Sequence, residues 1–202
     1  MKIGLLFGSF NPIHIGHIAI ATSVLNSHVV DKVFFVVAMQ NPWKTQKAID
    51  FNIRCSMVHN AIKGVENLQL STVEIHVSQP TYTYKVIKKL KDDYPNDELF
   101  LIGGEDVINN VESWANFQNG ILPYVGFIAV GDNIDGIKEA IGKTQIIKVN
   151  MPHITIRSTL IREMAREGKI LYPLVTKETE ESIYNHQLYK DEKYFFFTCY
   201  SK

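Results

Sequence analysis

The chain has 202 residues, 46% hydrophobic and 21% charged, which is enough to bury the core of one domain. Its 21 Lys and Arg balance 21 Asp and Glu, excluding a protein that grips a nucleic acid polymer through its whole surface but leaving room for a local polyphosphate pocket. Cys55 and Cys199 form no metal-type spacing, no apolar run approaches the roughly 18 residues of a membrane span, and Asn11-Pro12 interrupts the apolar start, so a soluble, cytoplasmic protein in a reducing compartment is expected.

In chain order, Ile3–Phe7 reads as a buried strand, followed by a helix over Gly16–Asn26, a strand over Lys32–Ala38 and a helix over Phe51–Lys63. Leu68–Val77 alternates and predicts a further strand or two. A helix over Tyr82–Asp93, strands at Glu98–Ile102 and Tyr124–Val130, a helix at Ile134–Ile141 and a strand at Gln145–Val149 complete the series. The strands are apolar nearly throughout, as strands covered on both faces must be, and strand-helix alternation predicts an α/β fold built on a doubly wound parallel sheet. Two helices then follow, Ser158–Glu167 and Thr176–His186, around Pro173. The apolar Tyr194–Phe197 near the end has no assigned element. No repeat or Gly/Ser linker divides the chain, so residues 1–202 are expected to form a single domain with a C-terminal helical portion from about 156 to 202.

The most informative stretch is Gly8-Ser9-Phe10-Asn11-Pro12-Ile13-His14-Ile15-Gly16-His17, where the first strand runs into the first helix. In an open α/β sheet that junction lies at the carboxyl edge, where ligands bind. Gly8 and Ser9 offer a tight turn whose N–H groups can face an anion, and the positive end of the helix adds to it. Two histidines at i and i+3 project to one side, and Gly16 leaves room for a close approach. With 7 His and 12 Gly, chance gives His-x-Gly-His roughly 0.014 times per chain. A metal-binding pair is a competing reading, but no Cys, Asp or Glu stands beside it to complete a zinc shell.

This stretch resembles the signature of the nucleotidylyltransferase superfamily, (H/T)xGH. The chain looks most similar to the bacterial nicotinate-nucleotide adenylyltransferases, over nearly its full length. Asn41-Pro42-Trp43-Lys44, Thr81-Tyr82-Thr83, Leu101-Ile102-Gly103-Gly104-Glu105-Asp106, Trp114 and Ile156-Arg157-Ser158-Thr159-Leu160-Ile161-Arg162 match in order. Two positions depart from the family pattern: Trp43 stands where histidine is usual and Arg157 where serine is usual.

The resemblance implies a Rossmann-like nucleotidylyltransferase fold and adenylyl transfer from ATP to nicotinate mononucleotide, giving deamido-NAD and pyrophosphate in NAD biosynthesis. It implies catalytic roles for His14, His17, Lys44 and Arg162. Gly8, Ser9, Phe10, His14, His17, Gly103, Asp106, Ser158, Thr159 and Arg162 would bind ATP. Lys44, Thr81, Tyr82, Thr83 and Trp114 would bind the mononucleotide. Ser158-Thr159 is expected to sit at the N-cap of its helix. Mg²⁺ would bridge substrate phosphates with no metal ligand from the protein. The expected partners are ATP and a pyridine mononucleotide, with no nucleic acid polymer and no membrane; a homo-oligomer is left open. Two alternatives stay open as well: the same chemistry on nicotinamide mononucleotide, phosphopantetheine or a CTP-dependent pair, and a non-catalytic nucleotide-binding module.

Overall fold

The computed structural model describes residues 1–39, 49–132 and 139–190. Among these, seven strands form one sheet: β1 (Lys2–Gly8), β2 (Lys32–Val37), β3 (Leu68–Ser71), β4 (Glu98–Gly103), β5 (Val125–Gly131), β6 (Ala140–Ile141) and β7 (Thr144–Asn150). Their order is β3-β2-β1-β4-β5-β7-β6. All neighbouring pairs are parallel except β6 with β7. The helices are α1 (Ile15–Asn26), α2 (Phe51–Ile62), α3 (Thr83–Asp93), α4 (Glu105–Asn110), α5 (Ser158–Arg166) and α6 (Lys177–Asn185).

Consecutive residues of one strand feed two different cores. Val33, Phe35 and Val37 of β2 pack into a cluster with residues of α1, α2, α5 and α6. Phe34 and Val36 pack into a second cluster with residues of α3 and α4. Both faces of the sheet are therefore covered, which is why the strands read as apolar throughout rather than alternating with polar residues. Each such side chain, once buried, contributes roughly 1.5–3 kcal/mol of transfer free energy.

Two expectations need correction. Leu68–Val77 holds one strand rather than two, because Val73–His76 turns into a 3₁₀ helix that buries Val73 and Glu74. The helix expected over Ile134–Ile141 is not present at its end: Ala140–Ile141 is β6, paired antiparallel with β7 across a turn in which Gly142 has φ +59°. The rest of that span, 133–138, lies outside the described residues, as do Asn41-Pro42-Trp43-Lys44, Tyr194–Phe197 and Cys199.

Chain order and strand order diverge at β1. The sheet grows to one side through β2 and β3, and to the other through β4, β5 and β7. The carboxyl ends of β1 and β4 therefore flank a topological switch point, where such sheets open a crevice. Among the described residues no helix is long and apolar enough to cross a membrane.

Candidate active site

A cleft of about 500 Å³ opens at this switch point. The turn after β1 contributes His14, Gly16 and His17, the turn after β4 contributes Asp106, and the start of α5 contributes Arg157, Ser158, Thr159 and Arg162.

His14 is the N-cap residue of α1 and His17 lies one turn in. Their rings stack with centroids 3.7 Å apart and an interplanar angle of 27°. The backbone N–H of His14 donates to Nδ1 of His17 at 3.2 Å. In a neutral His17 the proton therefore sits on Nε2, which is left as a donor. Burial pushes His14 from its ordinary 6.5 down to about 4. Burial first, and then repulsion from His14, pushes His17 down to about 3. At neutral pH the pair is thus two uncharged imidazoles. Nδ1 of His14 is buried without a hydrogen-bond partner among the described residues. A Cβ on Gly16 would lie 3.1 Å from that atom, so the space vacated by the missing side chain is filled by the histidine ring itself.

Phe10 sits beneath the pair. Its φ of +44° is rare for a bulky residue, and its ring is only 1% exposed. It meets the His17 ring edge-on at 5.0 Å, packs against Phe35 at 5.6 Å, and covers Gly8, where a Cβ would come within 2.8 Å of it. Phe10 is therefore a floor for His17 rather than part of the cleft wall.

Helix α5 and the chain around α6 clamp this turn from the far end of the sequence. Ser158 Oγ donates to the Pro12 carbonyl at 2.9 Å, and Arg162 donates through Nη1 to the Asn11 carbonyl at 2.9 Å and through Nη2 to Thr159 Oγ1 at 3.2 Å. The Tyr189 hydroxyl donates to Asn11 Oδ1 at 2.9 Å, and the N–H of Ile15 donates to the Leu174 carbonyl at 2.9 Å. The expected N-cap shifts by one residue: Arg157 occupies it without a side-chain cap bond, and Ser158 is the first helical residue. Its hydroxyl serves Pro12, while the first-turn N–H groups of α5, which have no intrahelical partner, belong to a helix end that lines the cleft.

Other anticipated residues take different positions. Gly8 and Gly103 end β1 and β4, Ser9 follows β1, and none of the three lines the cleft. Thr81 is buried and donates its hydroxyl to Glu74 at 2.7 Å. Tyr82 is the N-cap residue of α3, stacked on Tyr84 at 6.0 Å, and Thr83 begins the helix. Trp114 is half-buried against the core on the α3–α4 face. These last four do not line the histidine cleft, and Lys44 lies outside the described residues.

The cytidylyltransferase-like family model matches residues 5–164. A curated relative from Flavobacterium johnsoniae, named probable nicotinate-nucleotide adenylyltransferase, is 33% identical over 193 residues, covering 94% of this chain and 100% of the relative. The chain belongs to the nicotinate-nucleotide adenylyltransferase family. A relative of the same name from Flavobacterium psychrophilum is 34% identical, with 94% and 100% covered. Among solved structures, the Plasmodium falciparum nicotinic acid mononucleotide adenylyltransferase, complexed with NaAD, superposes with a TM-score of 0.76 at 23% identity, over 93% of this chain and 97% of that one. This likeness shows that the fold is shared.

Some features of this adenylyltransferase-family site have no motif in the sequence. Met151 and Ile154 give the cleft an apolar side, together with Ile156 of the matched stretch. Arg54 and Glu74 are both buried and do not line it. A signal existed for Arg54: it falls on the stripe Phe51, Arg54, Cys55, Val58, Ile62, the spacing of a buried helix face. Among the described residues no group of three or more His, Cys, Asp or Glu is disposed to hold a metal ion.

Proposed function

We propose that the protein transfers the adenylyl group of ATP to nicotinate mononucleotide, giving deamido-NAD and pyrophosphate. The observation that carries this reading is the convergence of the stacked neutral pair His14 and His17, the Arg162 guanidinium and the start of α5 on one cleft. Neutral imidazoles suit a site that receives phosphate oxygens. They donate hydrogen bonds without the cost of holding two adjacent buried cations before substrate arrives.

In this mechanism an oxygen of the mononucleotide phosphate attacks the α-phosphorus of ATP. The bond from that phosphorus to the bridging α–β oxygen breaks, and pyrophosphate leaves with the electron pair. No side chain forms a covalent bond; the protein aligns the two phosphates and offsets developing charge. Nε2–H of His17 and the ring of His14 would meet the α- and β-phosphate oxygens. Arg162, Lys44 and the N-terminal turn of α5, with Ser158 and Thr159, would hold the departing pyrophosphate. Asp106 would accept ribose hydroxyls, beside Gly103. Gly8, Ser9 and Phe10 would shape the phosphate turn. Tyr82, Thr83 and Trp114, with the backbone of Thr81, would receive the pyridine ring, since the Thr81 hydroxyl is already donated to Glu74.

Mg²⁺ is the expected cofactor. Among the described residues the cleft wall offers one carboxylate, Asp106, beside cationic and neutral groups. That donor set suits an ion carried on phosphate and water oxygens, neutralising their charge, better than an ion held in a protein cage. The substrates are intracellular phosphorylated metabolites, which assigns the reaction to the cytoplasm. The chain is taken to act as a single catalytic domain.

The test is pyrophosphate release by the purified protein with ATP and Mg²⁺, comparing nicotinate mononucleotide, nicotinamide mononucleotide and phosphopantetheine. The expected result is turnover with the nicotinate form and its loss by orders of magnitude in a folded His17→Ala variant. Silence with all three acceptors despite ATP binding would replace this reading with that of a binding module.

A further inference from the structure

We infer that Arg54 and Glu74 are positioning residues that lock the phosphate-turn side and the Thr81 side of the site into one register through Met39. Arg54 lies on the buried face of α2 and is 1% exposed. Four of its N–H groups donate to four backbone carbonyls: Nε to Ile49 at 3.0 Å, Nη1 to Ser9 at 2.7 Å and Ala38 at 2.6 Å, and Nη2 to Met39 at 2.8 Å. The guanidinium carbon lies 5.6 Å from the centroid of the Phe51 ring. Ser9 directly follows β1, and Ala38 and Met39 follow β2, so one planar cation ties together the carboxyl ends of two central strands. These carbonyls lie beyond the sheet ladder, and a buried carbonyl needs a donor. A guanidinium can serve several at once, and the converging carbonyl dipoles in turn solvate its charge.

Glu74 completes the link. It is 4% exposed, and its Oε2 accepts the Met39 N–H at 2.8 Å and the Thr81 hydroxyl at 2.7 Å. Met39 is thereby held at its carbonyl by a cation and at its N–H by an anion. The chain of contacts runs from Thr81 through Glu74, Met39 and Arg54 to Ser9, next to Phe10, whose ring supports His17. Opposite buried charges at the two ends offset each other's desolvation, and removing one strands the other. Neither residue lines the cleft; each acts by fixing backbone that the adenylyl-transfer reading assigns to the phosphate turn and to the acceptor pocket.

This inference rests on that reading for its kinetic arm, and amide hydrogen exchange tests it independently. Arg54→Lys keeps the charge but replaces a planar fork by a single ammonium that cannot reach all four carbonyls. Glu74→Gln keeps the shape and removes the charge. In Arg54→Lys, kcat/KM should fall about 10- to 100-fold, as expected for sub-ångström misplacement of reacting groups. In Glu74→Gln, KM for the mononucleotide should rise about tenfold with KM for ATP within about twofold. The double variant should lose less than the product of the two single losses, because both act through Met39. Exchange should quicken at Ser9–Phe10, Ala38–Met39 and Thr81–Tyr82 while α5 and α6 keep their protection. Uniform loss of protection, or folded variants with kcat/KM within about twofold of the parent, would reduce the pair to an ordinary core element and overturn the inference. Failure of both variants to fold would overturn it too. A parent protein that is silent with nicotinate mononucleotide would remove the proposed reaction, and the exchange pattern alone would then decide the positioning role.

Discussion

Holding His14 uncharged inside the protein makes folding stability depend on pH, and the sign follows from the shift. Its pKa is 6.5 when exposed and about 4 in the folded site, so below pH 6.5 the unfolded chain binds a proton that the folded one refuses. The folded state therefore keeps its full stability above that value and loses it as the pH falls towards 4. Linkage gives a loss of about 2 kcal/mol at about pH 5, relative to about pH 7.5, for this one group, which is 6% exposed. Replacing His14 by Asn removes the titration. It also removes the repulsion on His17, which widens the difference in the same direction. Urea unfolding of parent and His14→Asn at stepped pH measures the effect, because carboxylates and the histidines outside this pair cancel between the two proteins. The parent should lose about 2 kcal/mol more than the variant over that range. Unfolding free energies that stay parallel would refute the idea that the site holds a neutral imidazole at position 14.

Four further outcomes follow from the structure. Arg162→Ala removes bonds to the Asn11 carbonyl and Thr159 as well as a cation from the cleft, and kcat/KM should fall about 10²- to 10³-fold in steady-state assays, with Arg162→Lys recovering only part. Gly103→Ala would place a Cβ 2.5 Å from Val107 Cγ1 and should lower the unfolding free energy by about 1–3 kcal/mol. Gly131→Ala, with nothing within 4 Å, should stay within about 0.5 kcal/mol in the same denaturation series. The buried Cys55 thiol is pushed up to about 11, so peptide mapping should find it alkylated by iodoacetamide at least about 100-fold more slowly in the native protein than in urea.

The doubly wound sheet was legible because its strands are buried on both faces, and that leaves an uninterrupted apolar run such as Val33–Val37. The short α4, at Glu105–Asn110, escaped notice because six residues are too few for a helical period to emerge. The helix expected over 134–141 failed at its end for a related reason: a two-residue strand is made by pairing with β7, and pairing is not a local property.

The sequence by itself determined which candidate site residues would share one edge of the sheet. His14, His17, Asp106, Ser158, Thr159 and Arg162 all reach one cleft, because strand-to-helix turns of a parallel sheet share an edge. It also carried the family, through motifs that match in order along the chain. Only the tertiary structure decided what each group spends its hydrogen bonds on. Phe10 became a floor, the Ser158 hydroxyl went to Pro12, the Thr81 hydroxyl went to Glu74, and Arg54 gathered the carbonyls of Ser9, Ala38, Met39 and Ile49. The physical reason is that every residue carries a backbone carbonyl, so a carbonyl acceptor leaves no mark in the sequence. Which donor meets it is fixed only when distant segments are packed together, as Arg162 and Asn11, 151 residues apart, are.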